Sequence, residues 1–365
     1  MKKNYILSLS LLALSFNLKS QENPVQTLIK EGIELHDSAQ YVGAVEKFES
    51  ALKLNPKSYL ALYELSLSYL EMKEYDKALE YSTRVINSND KSLLVGAYAV
   101  KSQALAESGK IDTAIEILKE GIEKNGESYM MHFNLALNYY KKNDIDKTIE
   151  HVNRAIELDK TYAGAFLLSA YAQRDKGMWI RSIYSFQMFL LLEPDSRRSR
   201  NAFAEMLQAM YIKPPTEEPV ERSFIQMQLS KNNSGQSTER MVPPLSSSPV
   251  LNREYVYQAI KSTLDSLETE NVKNDTFEAF MKVNETILNS MKKDVENENE
   301  NGNDGFWSFY YPFFKSIWNS NYYEAFCRYV SASYYPESMQ WWEENKKEAK
   351  NFINWFEKGE DVGNK

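Results

Sequence analysis

Apolar residues recur along residues 25–196 with the spacing of amphipathic α-helices, and the whole pattern repeats about every 34 residues. Each copy contains two helix-length apolar stripes that are joined by a short polar turn. In the first copy the stripes are Leu28, Gly32 and Leu35, followed by Ala44, Phe48 and Ala51. The pattern predicts helix–turn–helix units whose small residues allow the two helices to approach closely.

Equivalent positions can be followed from copy to copy. Tyr41 and Ala44 open the second helix of the first copy, and Tyr75 and Ala78 are their equivalents in the next copy. The five copies begin at Val25, Tyr59, Val95, Tyr129 and Ala163. One helical pair cannot bury its own apolar face, so units of this kind stack side by side. We therefore predict an all-α solenoid of five units, with residues 199–211 as a capping helix.

This register resembles the tetratricopeptide repeat family, and residues 25–212 carry the resemblance. The first copy has Gly32, Tyr41, Ala44, Phe48, Ala51 and Pro56 at the positions where that family prefers them. The copies depart from the family in lacking the usual tryptophan early in the first helix. Thr148 and Ser182 also replace a small alanine. The resemblance implies a non-catalytic scaffold that holds a protein or peptide.

The resemblance also implies where a partner binds. In this family the first helix of each repeat lines a concave groove, and the second, fifth, ninth and twelfth residues of each copy are expected to face inward. The predicted partner-binding residues are Ile29, Ile33, Tyr63, Leu67, Gln103, Phe133, Asn134, Leu137, Tyr140, Tyr171 and Arg174. Most are apolar or aromatic, which favours an apolar or aromatic peptide or partner surface. The alternative is that they contact each other or are covered by the C-terminal domain.

Two polar members of that set bear on the class of partner. Family members that hold the acidic C-terminus of heat-shock chaperones use inward Lys, Arg and Asn, because a buried carboxylate needs paired donors. Here only Asn134 and Arg174 could act in this way. The sequence therefore disfavours a co-chaperone function.

Residues 1–20 have the layout of a secretory signal peptide. Lys2 and Lys3 precede an apolar run at positions 5–16, and a short polar stretch follows. The run is shorter than the roughly 20 residues that span a bilayer. A retained interfacial or signal-anchor helix is the alternative. We expect cleavage after Ser20, a mature chain without a membrane span, and export to the periplasm or cell envelope or into the medium.

Beyond the repeats, which we assign to residues 21–212, the composition changes twice. Residues 213–249 contain six prolines and a polar run and are predicted to be a linker. Residues 250–365 are predicted to form a helical domain rich in aromatic residues. Its tryptophans are Trp307, Trp318, Trp341, Trp342 and Trp355. They are predicted either to build an aromatic core or to form an exposed surface that binds a glycan, a cell-envelope polymer or a protein.

Composition and charge exclude several classes of function. The 365-residue chain has 43 basic and 51 acidic residues and a formal charge of −8, so nucleic acid is not an expected partner. The single Cys327 and three histidines argue against a Cys/His zinc site. The sequence shows neither a nucleophile next to a base nor a glycine-rich phosphate loop. We therefore expect a non-enzymatic protein without a cofactor.

Overall fold

The computed structural model describes residues 23–88, 90–212, 254–269, 276–298 and 309–358, and the regular elements in these ranges are α-helices. The paired helices of the repeats are α1 (Pro24–Asp37), α2 (Tyr41–Leu54), α3 (Tyr59–Glu71), α4 (Tyr75–Ser88), α5 (Leu94–Glu107), α6 (Ile111–Asn125), α7 (Tyr129–Lys141), α8 (Ile145–Leu158), α9 (Ala163–Asp175) and α10 (Trp179–Leu192). They are followed by α11 (Arg197–Ala209), α12 (Glu254–Thr269), α13 (Thr276–Glu298), α14 (Tyr311–Asn319), α15 (Tyr323–Val330), α16 (Pro336–Glu344) and α17 (Lys346–Lys358). The predicted all-α class with consecutive helix–turn–helix repeats is confirmed.

The first helix of each pair ends in the same backbone turn. A residue with positive φ recurs at the same place in each copy, at Ala39, Lys73, Gly109, Asn143 and Gly177. In the first turn the next residue, Gln40, donates its backbone N–H to the carbonyl of Leu35 at 2.8 Å. This is the hydrogen bond of a Schellman C-cap. Tyr211, one repeat length after Gly177, closes α11 in the same way, so α11 ends as the first helix of a repeat ends.

A glycine sets the distance between the two helices of the first pair. The ring of Phe48 on α2 is fully buried and lies directly against the backbone of α1. A Cβ atom at Gly32 would come within 2.4 Å of Cε1 of Phe48. Only glycine therefore fits at this crossing, which is the close helix approach that the pattern of small residues predicted.

The described residues form two compact units that divide between Ser108 and Gly109. Helices α1 to α5 belong to the N-terminal unit, and α6 to α17 belong to the C-terminal unit. Within the C-terminal unit α10 is buried around almost its whole circumference. A helix that is apolar on every side is typical of a position inside a core.

The C-terminal helices share a core with the fourth and fifth repeats. Tyr184 of α10 stacks on Phe314 of α14, with their ring centroids 4.7 Å apart. The buried amide of Gln187 on α10 donates to the side-chain oxygen of Asn284 on α13 at 2.9 Å. The C-terminal helices thus complete the burial of α10. The predicted linker, 213–249, and the predicted signal peptide, 1–20, lie outside the described residues.

Candidate protein-interaction surface

The first helices of the repeats in the N-terminal unit leave a strip of side chains accessible. After Tyr59 at its first position, the accessible residues of α3 follow one helix face and are Leu60, Tyr63, Glu64, Leu67 and Glu71. Leu60 is 42% exposed, whereas Leu62 and Leu65 on the opposite side of α3 are buried. Helices α1 and α5 flank α3, and each adds a partly exposed residue. We call the first helix of each repeat its A helix, and we define the A-helix face as Ile33, Leu60, Tyr63, Leu67 and Gln103.

Tyr63 is held in this face because α5 has a glycine opposite it. A Cβ atom at Gly96 would come within 2.6 Å of the hydroxyl oxygen of Tyr63, so the ring lies against the backbone of α5. Burial raises the pKa of the Tyr63 phenol, and the nearby charge of Glu64 raises it further. The phenol therefore stays protonated at neutral pH and can donate a hydrogen bond. Ile29, which was also predicted to face inward, is buried in the core of the unit.

The same register positions are accessible on α7 in the C-terminal unit. Phe133, Asn134 and Leu137 are partly exposed there. The ring of Phe133 meets Tyr162 edge-on, with centroids 4.9 Å apart. The amide of Asn134 donates to the carbonyl of Met130 in its own helix at 2.8 Å. These three predicted residues thus occupy equivalent positions to the strip on α3.

In the fourth and fifth repeats, three residues that were predicted to face inward are bonded to carboxylates of the same chain. Tyr171 on α9 is 1% exposed, and its hydroxyl donates to Glu205 of α11 at 3.1 Å. Arg174 donates to the second carboxylate oxygen of Glu205 at 2.6 Å. Tyr140 is buried as well and donates to Asp175 at 2.7 Å. The guanidinium of Arg174 is therefore occupied by a carboxylate of the same chain.

The tryptophans of the described C-terminal helices pack against the shared core. Trp318, Trp341, Trp342 and Trp355 are partly buried in this way. Trp355, for example, contacts Tyr322 with ring centroids 5.4 Å apart. Trp307 lies outside the described residues. This packing fits the aromatic-core alternative, and the glycan-binding surface stays a prediction.

One carboxyl group on the accessible strip was not among the predicted residues. Glu64 occupies the sixth position of its copy, between the second and ninth positions on the same helix face. Burial and the charge of Asp37 at the end of α1 raise the pKa of Glu64 to about 7. The helical register alone could have indicated this residue, because position six lies four residues after position two.

A second polar cluster, in the fourth repeat, joins two of the three histidines. Nδ1 of His132 on α7 lies 3.1 Å from Nδ1 of His151 on α8, and the ring of Tyr139 stacks on His151. Nε2 of His132 faces Glu127 at 3.6 Å. Burial lowers the pKa of both histidines, and the charge of His132 further lowers that of His151. One N–H bond can join the two rings only while at least one of them is neutral.

Acidification from pH 7 to pH 5 is expected to destabilise the C-terminal unit through this pair. In the unfolded chain the histidines have pKa values near 6.5, and in the folded chain their pKa values are lower. The stabilisation is therefore complete above pH 6.5 and is lost as the pH falls toward the lower pKa values of the folded pair. The other charged groups that act on the pair are Glu127, Glu150, Arg154, Lys119 and Lys147. The loss is at most about 1.4 kcal/mol per pH unit for each histidine.

Urea unfolding at both pH values, on the natural chain and on His151→Gln, measures this loss. The variant is expected to lose less stability on acidification than the natural chain. An identical loss in the two proteins would contradict a role for the pair.

The described helices offer neither a membrane span nor a metal site. None of them is both long and apolar enough to cross a membrane. Within the same residues, no group of three or more His, Cys, Asp and Glu side chains is placed to hold a metal ion. Burial raises the pKa of the Cys327 thiol well above its usual value, which suppresses the reactive thiolate at neutral pH.

The fold and the paired-helix register define a helical-repeat protein. Residues 29–90 and 100–163 match the tetratricopeptide repeat family. The repeat region of this chain is therefore similar to that family, as its register predicted. Repeats of this family generally mediate protein–protein interaction, and the fold is typical of non-catalytic scaffolds.

Named relatives match a little over a third of this chain and are much longer than the matched part. A TPR repeat-containing protein of Methanocaldococcus jannaschii is 29% identical over 129 residues, which are 35% of this chain and 22% of that protein. The BBSome complex member BBS4 of Bos taurus is 26% identical over 138 residues, 38% of this chain and 26% of that protein. The chain thus spans about a quarter of the length of these relatives.

Solved structures of repeat proteins align with about half of the chain at low TM-scores. A thermophilic TPR protein of Thermus thermophilus is 22% identical, with a TM-score of 0.45, and covers 52% of this chain and 100% of its own. YrrB, a TPR protein with an unusual peptide-binding site, is 15% identical, with a TM-score of 0.33, and covers 46% of this chain and 86% of its own.

Proposed function

We propose that this chain is an exported, non-catalytic scaffold protein whose A-helix face binds an apolar or aromatic segment of a protein partner. The observation that carries the proposal is the accessible strip of α3, where Leu60, Tyr63 and Leu67 stay partly exposed while the opposite side of the helix is buried. Contiguous apolar side chains on an otherwise polar surface are typical of interaction sites. The family's general function in protein–protein interaction supports the same conclusion.

The strip has features of a preformed binding site. Tyr63 is fixed by its contact with the backbone at Gly96, so its ring loses little conformational freedom when a partner docks. Large aromatic side chains of this kind often dominate the energy of protein interfaces. The partly exposed leucines on either side add apolar area that a partner would remove from water. Phe133 and Leu137 on α7 present the same chemistry in the C-terminal unit.

Export is proposed from residues 1–20 alone, with their basic start and short apolar run. It places the partner in the cell envelope or outside the cell. Intact-mass measurement of the protein from an envelope fraction tests export and cleavage. We expect a chain that begins at Gln21. A chain that retains residues 1–20 would contradict cleavage.

Partner capture from an envelope extract tests the binding face. The bait is the full chain, compared with a Leu60→Ser/Leu67→Ser variant. We expect the variant to recover the partner with an affinity reduced by about tenfold or more, because two apolar anchors are lost. The matched control is Val42→Ser/Leu54→Ser, which changes two exposed apolar residues of α2 in the same unit. Equal capture by the natural chain and the Leu60→Ser/Leu67→Ser variant, with both folded by circular dichroism, would contradict the proposed face.

A further inference from the structure

Two acidic side chains border the A-helix face without a cation to balance them. Glu64 lies on the accessible strip of α3, between Leu60 and Leu67, and is only partly exposed. Asp37 is exposed at the last residue of α1. Among the described residues, neither carboxyl forms an ion pair or a side-chain hydrogen bond. Lys30 of α1 and Lys101 of α5 form no ion pair with them either.

Three features of this place favour a bound cation. The carboxyl group of Glu64 is partly removed from water, which raises its pKa, so a cation beside it would stabilise the ionised form. The charge of Asp37 is close enough to oppose ionisation of Glu64. Asp37 also stands at the C-terminal end of α1, where the helix dipole is itself negative. A cation between the two carboxyl groups would stabilise the ionised form of Glu64, reduce its repulsion from Asp37 and interact favourably with the dipole of α1.

The remaining polar groups near this place do not balance it. His36, next to Asp37, is hydrogen-bonded through Nδ1 to the hydroxyl of Ser68 at 2.9 Å. The phenol of Tyr63 is neutral, because burial and the charge of Glu64 both raise its pKa. The face therefore combines apolar anchors with two acidic groups that no cation of the described residues pairs with.

We propose that the A-helix face of the N-terminal unit selects partner segments that carry a lysine or arginine side chain beside apolar or aromatic residues. The cation lies between Asp37 and Glu64, and the apolar side chains rest on Leu60, Tyr63 and Leu67. This inference rests on the proposed function, since it names the partner chemistry of the same face. Charge complementarity at such a face gives selectivity between apolar partners of equal size.

Helix α7 shows that the acidic group is particular to the N-terminal unit. The position equivalent to Glu64 is Asn134, which carries no charge and whose amide donates a hydrogen bond to the carbonyl of Met130. The neighbouring apolar positions are retained as Phe133 and Leu137. The α7 strip is therefore apolar without a cation-binding group, and the preference for a basic residue is expected from the N-terminal unit alone.

Selection from a random peptide library displayed on phage, with the immobilised full chain as target, tests the inference. Retained peptides are then synthesised and titrated against three variants. Asp37→Asn/Glu64→Gln removes the two charges with little change of shape. Asp76→Asn/Glu80→Gln is the control, because it removes the same net charge from exposed residues of α4. Leu60→Ser/Leu67→Ser removes the apolar anchors.

We expect the peptides that need Leu60 and Leu67 to be enriched in lysine or arginine. These peptides should bind Asp37→Asn/Glu64→Gln about tenfold more weakly or worse, and the control variant as tightly as the natural chain. Replacing their basic residue by norleucine should give the same loss.

Equal binding to Asp37→Asn/Glu64→Gln would overturn the basic preference while leaving the proposed function intact. A library that yields no peptide dependent on Leu60 and Leu67 would overturn both. A dimer in light scattering that only Leu60→Ser/Leu67→Ser abolishes would show that a second copy occupies the face, and would also overturn the inference.

Discussion

Replacing Phe203 by alanine is expected to destabilise the C-terminal unit by about 3–5 kcal/mol, the usual cost of removing a fully buried aromatic ring. Phe203 lies on α11 and is 0% exposed. Its ring meets Phe280 of α13 at 5.1 Å, and Tyr334 and Tyr335 at 5.2 and 5.5 Å. The cavity would therefore open where the last repeat-like helix meets the C-terminal helices. Urea unfolding followed by tryptophan fluorescence measures the loss.

The matched control for this prediction is Phe356→Ala on α17. Phe356 is 39% exposed, so the expected loss is about 1 kcal/mol or less. Native-state hydrogen exchange separates two explanations of a large effect at Phe203. If the shared core holds, α9, α10, α13 and α15 should lose protection together. Loss of protection in α13 and α15 with α9 and α10 unchanged would instead indicate two independent domains.

Arg174→Met is expected to cost the C-terminal unit about 3 kcal/mol, because it leaves the buried carboxylate of Glu205 without its guanidinium. Glu205 is 7% exposed and also accepts a hydrogen bond from Tyr171. Burial opposes the charge of Arg174, but the ion pair with Glu205 outweighs it and raises the pKa of the guanidinium. The partial exposure of Arg174 places the expected cost at the lower end of the range for buried pairs.

A double variant tests whether the lost charge partner is the cause. Arg174→Met/Glu205→Leu removes both charges and should recover most of the lost stability, because an apolar pair replaces a buried ion pair at little cost. Lys176→Met is the control, since Lys176 pairs with Asp146 on the surface, where loss of the partner costs about 1 kcal/mol or less. A double variant as unstable as Arg174→Met would contradict this explanation and point to packing of the arginine stem.

The repeat register was predictable because it depends on local spacing. Small residues such as Gly32 and Ala44 had to recur wherever two helices cross closely, and the turn had to fall between the two apolar stripes. The structure adds that Tyr211 continues the series of left-handed turn residues after Gly177, so the capping helix follows the same register. All of these features are set within a window of about 34 residues.

The candidate site was only partly predictable. The rule for inward positions selected Tyr63 and Leu67 on α3, which are accessible, and also Tyr171 on α9, which is covered. The two helices have the same register, so periodicity could not separate them. Glu64 was omitted because the rule for inward positions does not include the sixth residue of a copy, and its equivalent Asn134 was selected only as a polar group that could bind a carboxylate. Its raised pKa depends on its burial and on the charge of Asp37, which belongs to the preceding repeat.

The sequence by itself determined the paired helices, their turns and their stacking, because each depends on residues within one repeat or its neighbour. The packing of the described C-terminal helices onto α10 was decided only by the tertiary structure. The apolar composition of α10 on all sides was a sign that something covers it, yet it could not say what. Contacts such as Gln187 with Asn284 join residues 97 positions apart, and no local pattern specifies such a pair. The same long-range packing decides which of the equivalent inward residues remain accessible to a partner.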